Sequence, residues 1–126
     1  MSQDMSQGTS RGMSQGTSRG MQAIDRAALD VQTGGDAELA REVLDLFAGQ
    51  CRSILPRLAD AAAAPERRAD LAHTLKGSAA GVGAERVRAL ADAAEARLRA
   101  DDGPVPLDDL AAAVAAALAE IGTAQP

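Results

Sequence analysis

The residues with the clearest capacity for chemistry are His73, Lys76 and Gly77, which fall within about one helical turn. His73 is the single His of the chain, and Lys76 is its one Lys, the other basic residues being Arg. Residues three and four positions apart share a helix face, so the imidazole, the ammonium and the bare backbone are predicted to lie together. A Gly inside a helix costs about 1 kcal/mol relative to Ala. Because Ala is abundant elsewhere in the chain, Gly77 indicates a need for open space beside His73.

This arrangement suits phosphoryl transfer. A neutral imidazole is a nucleophile near pH 7. A transferring phosphoryl group carries negative charge on its oxygens, and a nearby ammonium stabilises that charge. A position without a side chain would let a bulky partner bring its phosphorylated residue into line with the ring.

Composition narrows the classes of protein that remain. The chain has one Phe and no Tyr or Trp, and Ala, Leu, Arg and Glu dominate it from residue 21 onward, which predicts an all-α fold. A net charge of −5 disfavours nucleic acid as a partner. No apolar run is long enough to cross a membrane. One Cys and one His cannot form an internal disulfide or a structural zinc site, and these features fit a cytoplasmic protein.

The apolar periodicity predicts where the helices lie. Residues 1–20, which contain the octet 5–12 repeated at 13–20, are polar and predict a disordered tail; residues 21–126 predict the folded domain. Within it we expect a short helix at 24–31 and longer helices near 36–58, 65–80, 84–99 and 107–121. Pro56 predicts a kink or break in the first long helix, and Cys51 is expected to be buried on that helix. The predicted fold is an antiparallel four-helix bundle with a short additional N-terminal helix.

The segment around His73 resembles the histidine phosphotransfer (HPt) family. The family's motif is matched at eight positions of the segment 73–83, namely His73, Leu75, Lys76, Gly77, Ser78, Ala79, Val82 and Gly83. The Gly-Gly-Asp-x-Glu-Leu run at 34–39 and the Leu-x-x-Phe segment at 44–47 are also similar to the family's first long helix. The resemblance covers about residues 22–122.

The resemblance implies that His73 is phosphorylated on Nε2, that Lys76 contacts the phosphoryl group and that Gly77 gives a receiver domain access. By offset from His73, Glu95 takes a position where the family often has Gln, and Arg99 takes a position that is often basic. A carboxylate at 95 could bond the imidazole N–H but would repel a phosphoryl group, so a solvated helix charge is the favoured interpretation of Glu95. An apolar patch for receiver docking is expected from Ala80, Val82 and Ala84, joined by Leu39 and Val43 if those are exposed.

The implied partners are response-regulator receiver domains and an upstream, hybrid histidine kinase, with the chain acting as a monomeric phosphocarrier rather than a turnover enzyme. The chain is expected to bind no cofactor itself, because no paired carboxylates flank His73 in the sequence; Mg²⁺ is expected on the receiver. Two alternatives stay open. One is the phosphotransfer segment of a chemotaxis-type histidine kinase, and the other is a helical adaptor that binds receivers without accepting phosphate.

Overall fold

A computed structural model describes residues 23–101 and 103–124, and this part of the chain contains five helices and no strand. The helices are α1 (Arg26–Thr33), α2 (Ala37–Leu58), α3 (Pro65–Val82), α4 (Glu85–Ala100) and α5 (Asp108–Ala124). The predicted all-α fold is confirmed. The tail predicted at 1–20 lies outside the described residues.

Helices α2 to α5 form a four-helix bundle, in which each helix packs against its two neighbours around a ring. Side-chain contacts give the directions of α2 and α3: Arg68 Nε donates to the Leu58 carbonyl at one end, and Ser78 bonds Gln50 toward the other. These two helices are therefore antiparallel. Helix α1 packs across α2 and α3, so it is the short additional helix that the sequence predicts.

Local signals set the helix ends. The Asp36 carboxylate accepts hydrogen bonds from the N–H groups of Glu38 and Leu39 at the start of α2, which satisfies donors that the helix itself cannot pair. Pro65 occupies the first turn of α3, where its missing N–H costs nothing. Gly83 ends α3 in a left-handed conformation, with a φ of 75°.

Of the kink or break predicted at Pro56, the break is wrong, because α2 continues through Pro56 to Leu58; the kink stays a prediction. Pro56 removes one backbone hydrogen bond, to the carbonyl of Arg52 four residues earlier. Arg52 is exposed, so water can take the place of the missing donor. The proline also lies within the last turn, so little helix remains beyond it to be disturbed.

The core is made of one inward stripe from each helix. In α3 the buried residues recur at steps of three and four, and most are small: Ala69, Ala72, Leu75, Ala79 and Val82. Small side chains let α3 and α4 pack closely, and this pair has the most extensive contact in the bundle. Cys51 is 1% exposed, as predicted, and burial raises the pKa of its thiol to about 11.

Candidate functional site

His73 stands on the outer face of α3. Its neighbours Ala72 and Leu75 belong to the buried stripe, so a helix with 3.6 residues per turn directs position 73 outward. Its side chain is 64% exposed. The imidazole is therefore open to a partner.

One carboxylate holds this ring in place. Glu95, on α4, lies 3.1 Å (Oε2) and 3.3 Å (Oε1) from Nδ1 of His73. Glu95 is only 12% exposed, because Ala91, Ala94 and Leu98 turn this side of α4 toward the bundle. It is a central contact of the site, so the favoured interpretation of Glu95 as a solvated charge is wrong.

Two cations share the Glu95 carboxylate with the ring. Lys76 Nζ lies 2.8 Å from Glu95 Oε1, and Arg99 lies 3.1 Å from Oε2. The hydrogen bond from Lys76, with those from Arg99 and His73, lowers the pKa of Glu95 to about 2. Glu95 is consequently ionised at any physiological pH and can only accept hydrogen bonds.

The tautomer of His73 follows from that charge. Because Glu95 can only accept, the hydrogen bond requires a proton on Nδ1, and in a neutral imidazole the lone pair then resides on Nε2. Within residues 23–101 and 103–124, no group hydrogen-bonds to Nε2. The nitrogen that carries the lone pair thus faces solvent.

Two further carboxylates, which the sequence analysis missed, complete the cluster. Asp92 lies 3.2 Å from Lys76 Nζ, and Asp70 lies 3.2 Å from Arg99. Bonds to Glu95 and then Asp92 raise the pKa of Lys76, while bonds to Asp70 and then Glu95 raise that of Arg99. Sequence spacing could have predicted both pairs. Once residues 73 and 95 face each other on antiparallel helices, a step of one turn in either direction brings residue 76 opposite 92 and residue 70 opposite 99.

The predicted open space at Gly77 is present. A Cβ built at Gly77 would meet no atom within 4 Å, leaving its own helix backbone aside. Close helix packing is therefore not the reason for this Gly. Gly83, the last motif residue, differs: its Cβ would lie 2.7 Å from the Asp25 carbonyl oxygen, and its own carbonyl accepts from the Asp25 N–H. Gly83 is a packing residue.

The predicted docking residues are partly wrong. Ala80 is exposed, but Val82 is 2% exposed and Ala84 is fully buried, so neither offers surface to a partner. Val82 is nine positions after His73, which places it on the opposite side of α3, and Ala84 is enclosed in the two-residue connection to α4. On α2, Leu39 is exposed and Val43 is half-buried.

A family model described as the Hpt domain matches residues 42–124, which is two thirds of the chain. The chain belongs to the Hpt domain family. The match begins within α2 and includes His73 and every residue of the Glu95 cluster. No curated protein and no solved structure gives a significant match to the chain.

Membership establishes the general activity. Hpt domains are phosphocarrier modules that transfer phosphoryl groups through a histidine in phosphorelays, where they interact with receiver domains and histidine kinases. Within the described part of the chain, no group of three or more His, Cys, Asp or Glu side chains is arranged to hold a metal ion. None of the described helices is long and apolar enough to cross a membrane.

Proposed function

We propose that this Hpt domain accepts a phosphoryl group on Nε2 of His73 from the aspartyl phosphate of one receiver domain and passes it to the aspartate of another. The observation that carries the proposal is the hydrogen bond from Nδ1 of the exposed His73 ring to Glu95. It leaves the lone pair on Nε2, the nitrogen that a partner can reach.

The accepting step uses groups that are already in place. The Nε2 lone pair forms the new N–P bond while the P–O bond to the receiver aspartate breaks, and that electron pair returns to the aspartate carboxylate. The Nδ1 proton stays between the ring and Glu95, so the positive charge that develops on the ring faces a carboxylate. Lys76 and Arg99 are the cations that would contact the phosphoryl oxygens, since both bond the same Glu95 carboxylate that bonds the ring.

The divalent cation expected in this reaction is proposed to belong to the receiver. The carboxylates nearest His73 are already bonded to cations of this chain, Glu95 to Lys76 and Arg99, and Asp92 to Lys76. These carboxylates are thus poorly suited to hold a further ion. A divalent cation bound by the receiver would offset the negative charge of the phosphoryl group from the receiver side.

The docking surface is proposed to run from α3 onto α2. Gly77 and Ala80 lie four and seven positions after His73, on the same side of α3, and both are exposed. Leu39 and Leu46, seven positions apart on α2, are also exposed, Leu46 by 71%. These leucines share their side of α2 with Gln50, whose bond to Ser78 joins α2 to α3. An apolar partner surface placed here would bring its aspartate to His73.

The test uses phosphate chemistry that distinguishes histidine from other acceptors. The chain is incubated with a receiver domain carrying labelled aspartyl phosphate, and phosphate on the chain is followed in acid and in base. Acid-labile, base-stable label that disappears in His73→Gln is expected, with ³¹P and ¹⁵N NMR placing the phosphorus on Nε2.

Other outcomes assign the chain differently. A chain that binds receivers and stays unlabelled is an adaptor, and acid-stable label would point to a hydroxyl such as that of Thr74. The same preparation tests the proposed monomeric state by sedimentation. A cytoplasmic location remains part of the proposal and rests on the single free Cys.

A further inference from the structure

The charges around His73 are unequal. Three carboxylates, Asp70, Asp92 and Glu95, surround two cations, Lys76 and Arg99, and each cation is bonded to Glu95 and to one outer carboxylate. Before any phosphate arrives, both cations are therefore fully engaged by acidic groups of the same chain.

Phosphorylation of His73 would add a second anion that can bind those cations. A phosphoryl group carries a charge of about −1.5 to −2 at pH 7. Its oxygens and the Glu95 carboxylate then compete for Lys76 and Arg99, and the two anions also repel each other. Glu95 also attracts the ring, which carries one positive charge when Nε2 is phosphorylated and Nδ1 keeps its proton. The larger negative charge of the phosphoryl group nevertheless leaves the phosphorylated side chain net negative. A neutral Gln at 95 would still accept the Nδ1 hydrogen bond but would neither compete nor repel.

We infer that Glu95, with Asp92 behind it, raises the free energy of the phosphorylated state and biases this chain toward donating its phosphoryl group rather than storing it. The inference rests on the proposed role of His73 and adds a direction to it. In the donating step the N–P bond breaks with its electron pair returning to Nε2, a P–O bond forms to a receiver aspartate, and the Nδ1 proton stays with the ring. Glu95 is here a residue that sets transfer potential, not one that touches the phosphorus.

The surroundings support a charge that is present throughout the reaction. The bonds to Glu95 hold its pKa at about 2, so the carboxylate does not escape the competition by taking up a proton near neutral pH. At 12% exposure it is also less screened by solvent than Asp92, whose side chain is 57% exposed. The effect of Glu95 should consequently exceed that of Asp92.

A competition between two versions of the chain measures the bias directly. The parent and Glu95→Gln chains are mixed in equal amounts, one carrying an affinity tag, with a catalytic amount of a phosphorylated receiver that exchanges phosphate with both. At equilibrium the receiver cancels from the ratio. We expect labelled phosphate to favour Glu95→Gln about fivefold, the order of factor that one charge at contact distance is worth near a solvated surface.

Two further variants separate this effect from general changes in charge or fold. In the same competition, Asp92→Asn should carry about twice as much labelled phosphate as the parent. This smaller preference should disappear in 1 M salt, where exposed charges are screened. Glu85→Gln is the matched control: it removes the same charge from α4, pairs only with Arg88 in the described contacts, and lies about 15 Å along the helix from Glu95. Label should divide evenly between it and the parent.

Each result decides the matter. An even division between the parent and Glu95→Gln, or a preference for the parent, overturns the inference while leaving phosphoryl transfer itself intact. A parent chain that never takes up label from any phosphorylated receiver overturns the proposed function instead.

Discussion

Substitution of Gly77 separates the stability of this bundle from its access to partners. Gly77 lies in the interior of α3, and a Cβ placed there would meet open space. A helix-interior Gly costs about 0.8–1.0 kcal/mol relative to Ala, and Gln is nearly as good a helix former as Ala. Gly77→Gln should therefore stabilise the fold by about 0.5–1 kcal/mol, which raises Tm by about 3–6 °C in a domain of this size.

Transfer should change in the opposite direction. The new side chain projects from the face that carries His73, one turn further along α3, where the receiver is proposed to dock. Loss of about 1.4 kcal/mol of docking free energy already lowers the rate of transfer tenfold, and we expect at least that from Gly77→Gln. Labelling of His73 by the small donor phosphoramidate should change little, because that donor needs no docking surface.

Thermal unfolding followed by circular dichroism and transfer from a labelled receiver measure the two effects. Gly122→Gln is the control: it is also a helical Gly with open space at its Cβ, on α5, which has no contact with α3 among the described residues. It should transfer at the parent rate. Normal transfer by Gly77→Gln would refute the argument from access, and a lower Tm would show that Gly77 serves packing after all.

Three other perturbations test the structure itself. The bonds that lower the pKa of Glu95 from 4.5 to about 2 stabilise the fold above about pH 4.5, and this stabilisation is lost as the pH falls through 2. The free energy of unfolding in urea at pH 7 should be about 2 kcal/mol higher for the parent than for Glu95→Gln, and most of that difference should be gone at pH 2. Gly83→Ala should lower the free energy of unfolding by about 2–4 kcal/mol, since the Ala would have to adopt a φ of 75° with its Cβ 2.7 Å from the Asp25 carbonyl oxygen. Gly81→Ala, whose Cβ meets open space, should be neutral or stabilising, and equal losses in the two variants would contradict this reasoning. Glu120→Ala removes an acceptor that bonds the backbone N–H groups of residues 23 and 24, so amide exchange there should accelerate while the α3 core stays protected.

The helices were predictable because their signals are local. Apolar steps of three and four set the inward stripes, and Asp36, Pro65 and Gly83 mark helix ends that the structure places within about two residues of the prediction. The exposed His73 follows from the same periodicity. A proline inside a helical pattern also predicts a possible break at Pro56, which does not occur because little helix remains beyond the proline.

The errors at the site concern faces and pairings. Val82 belongs to the motif, but the nine residues of helix between it and His73 turn it to the opposite side of α3, where it is buried. The contacts of Glu95 could not be predicted from the sequence of α4 alone, because its partners His73 and Lys76 lie on another helix. Only the packing of α3 against α4 brings its carboxylate to the ring.

The motif on α3 combines two kinds of residue that the helix sorts onto opposite sides. Leu75, Ala79 and Val82 face the core, and Gly83 receives Asp25 at close range. His73 and Gly77 face outward, and neither is needed for packing. A match to the whole motif therefore reflects the bundle and the chemistry together, and a chain could keep the first while losing the second. Glu95 links the two, since it is fixed by the helix pair and its bond to Nδ1 leaves the lone pair of His73 on Nε2.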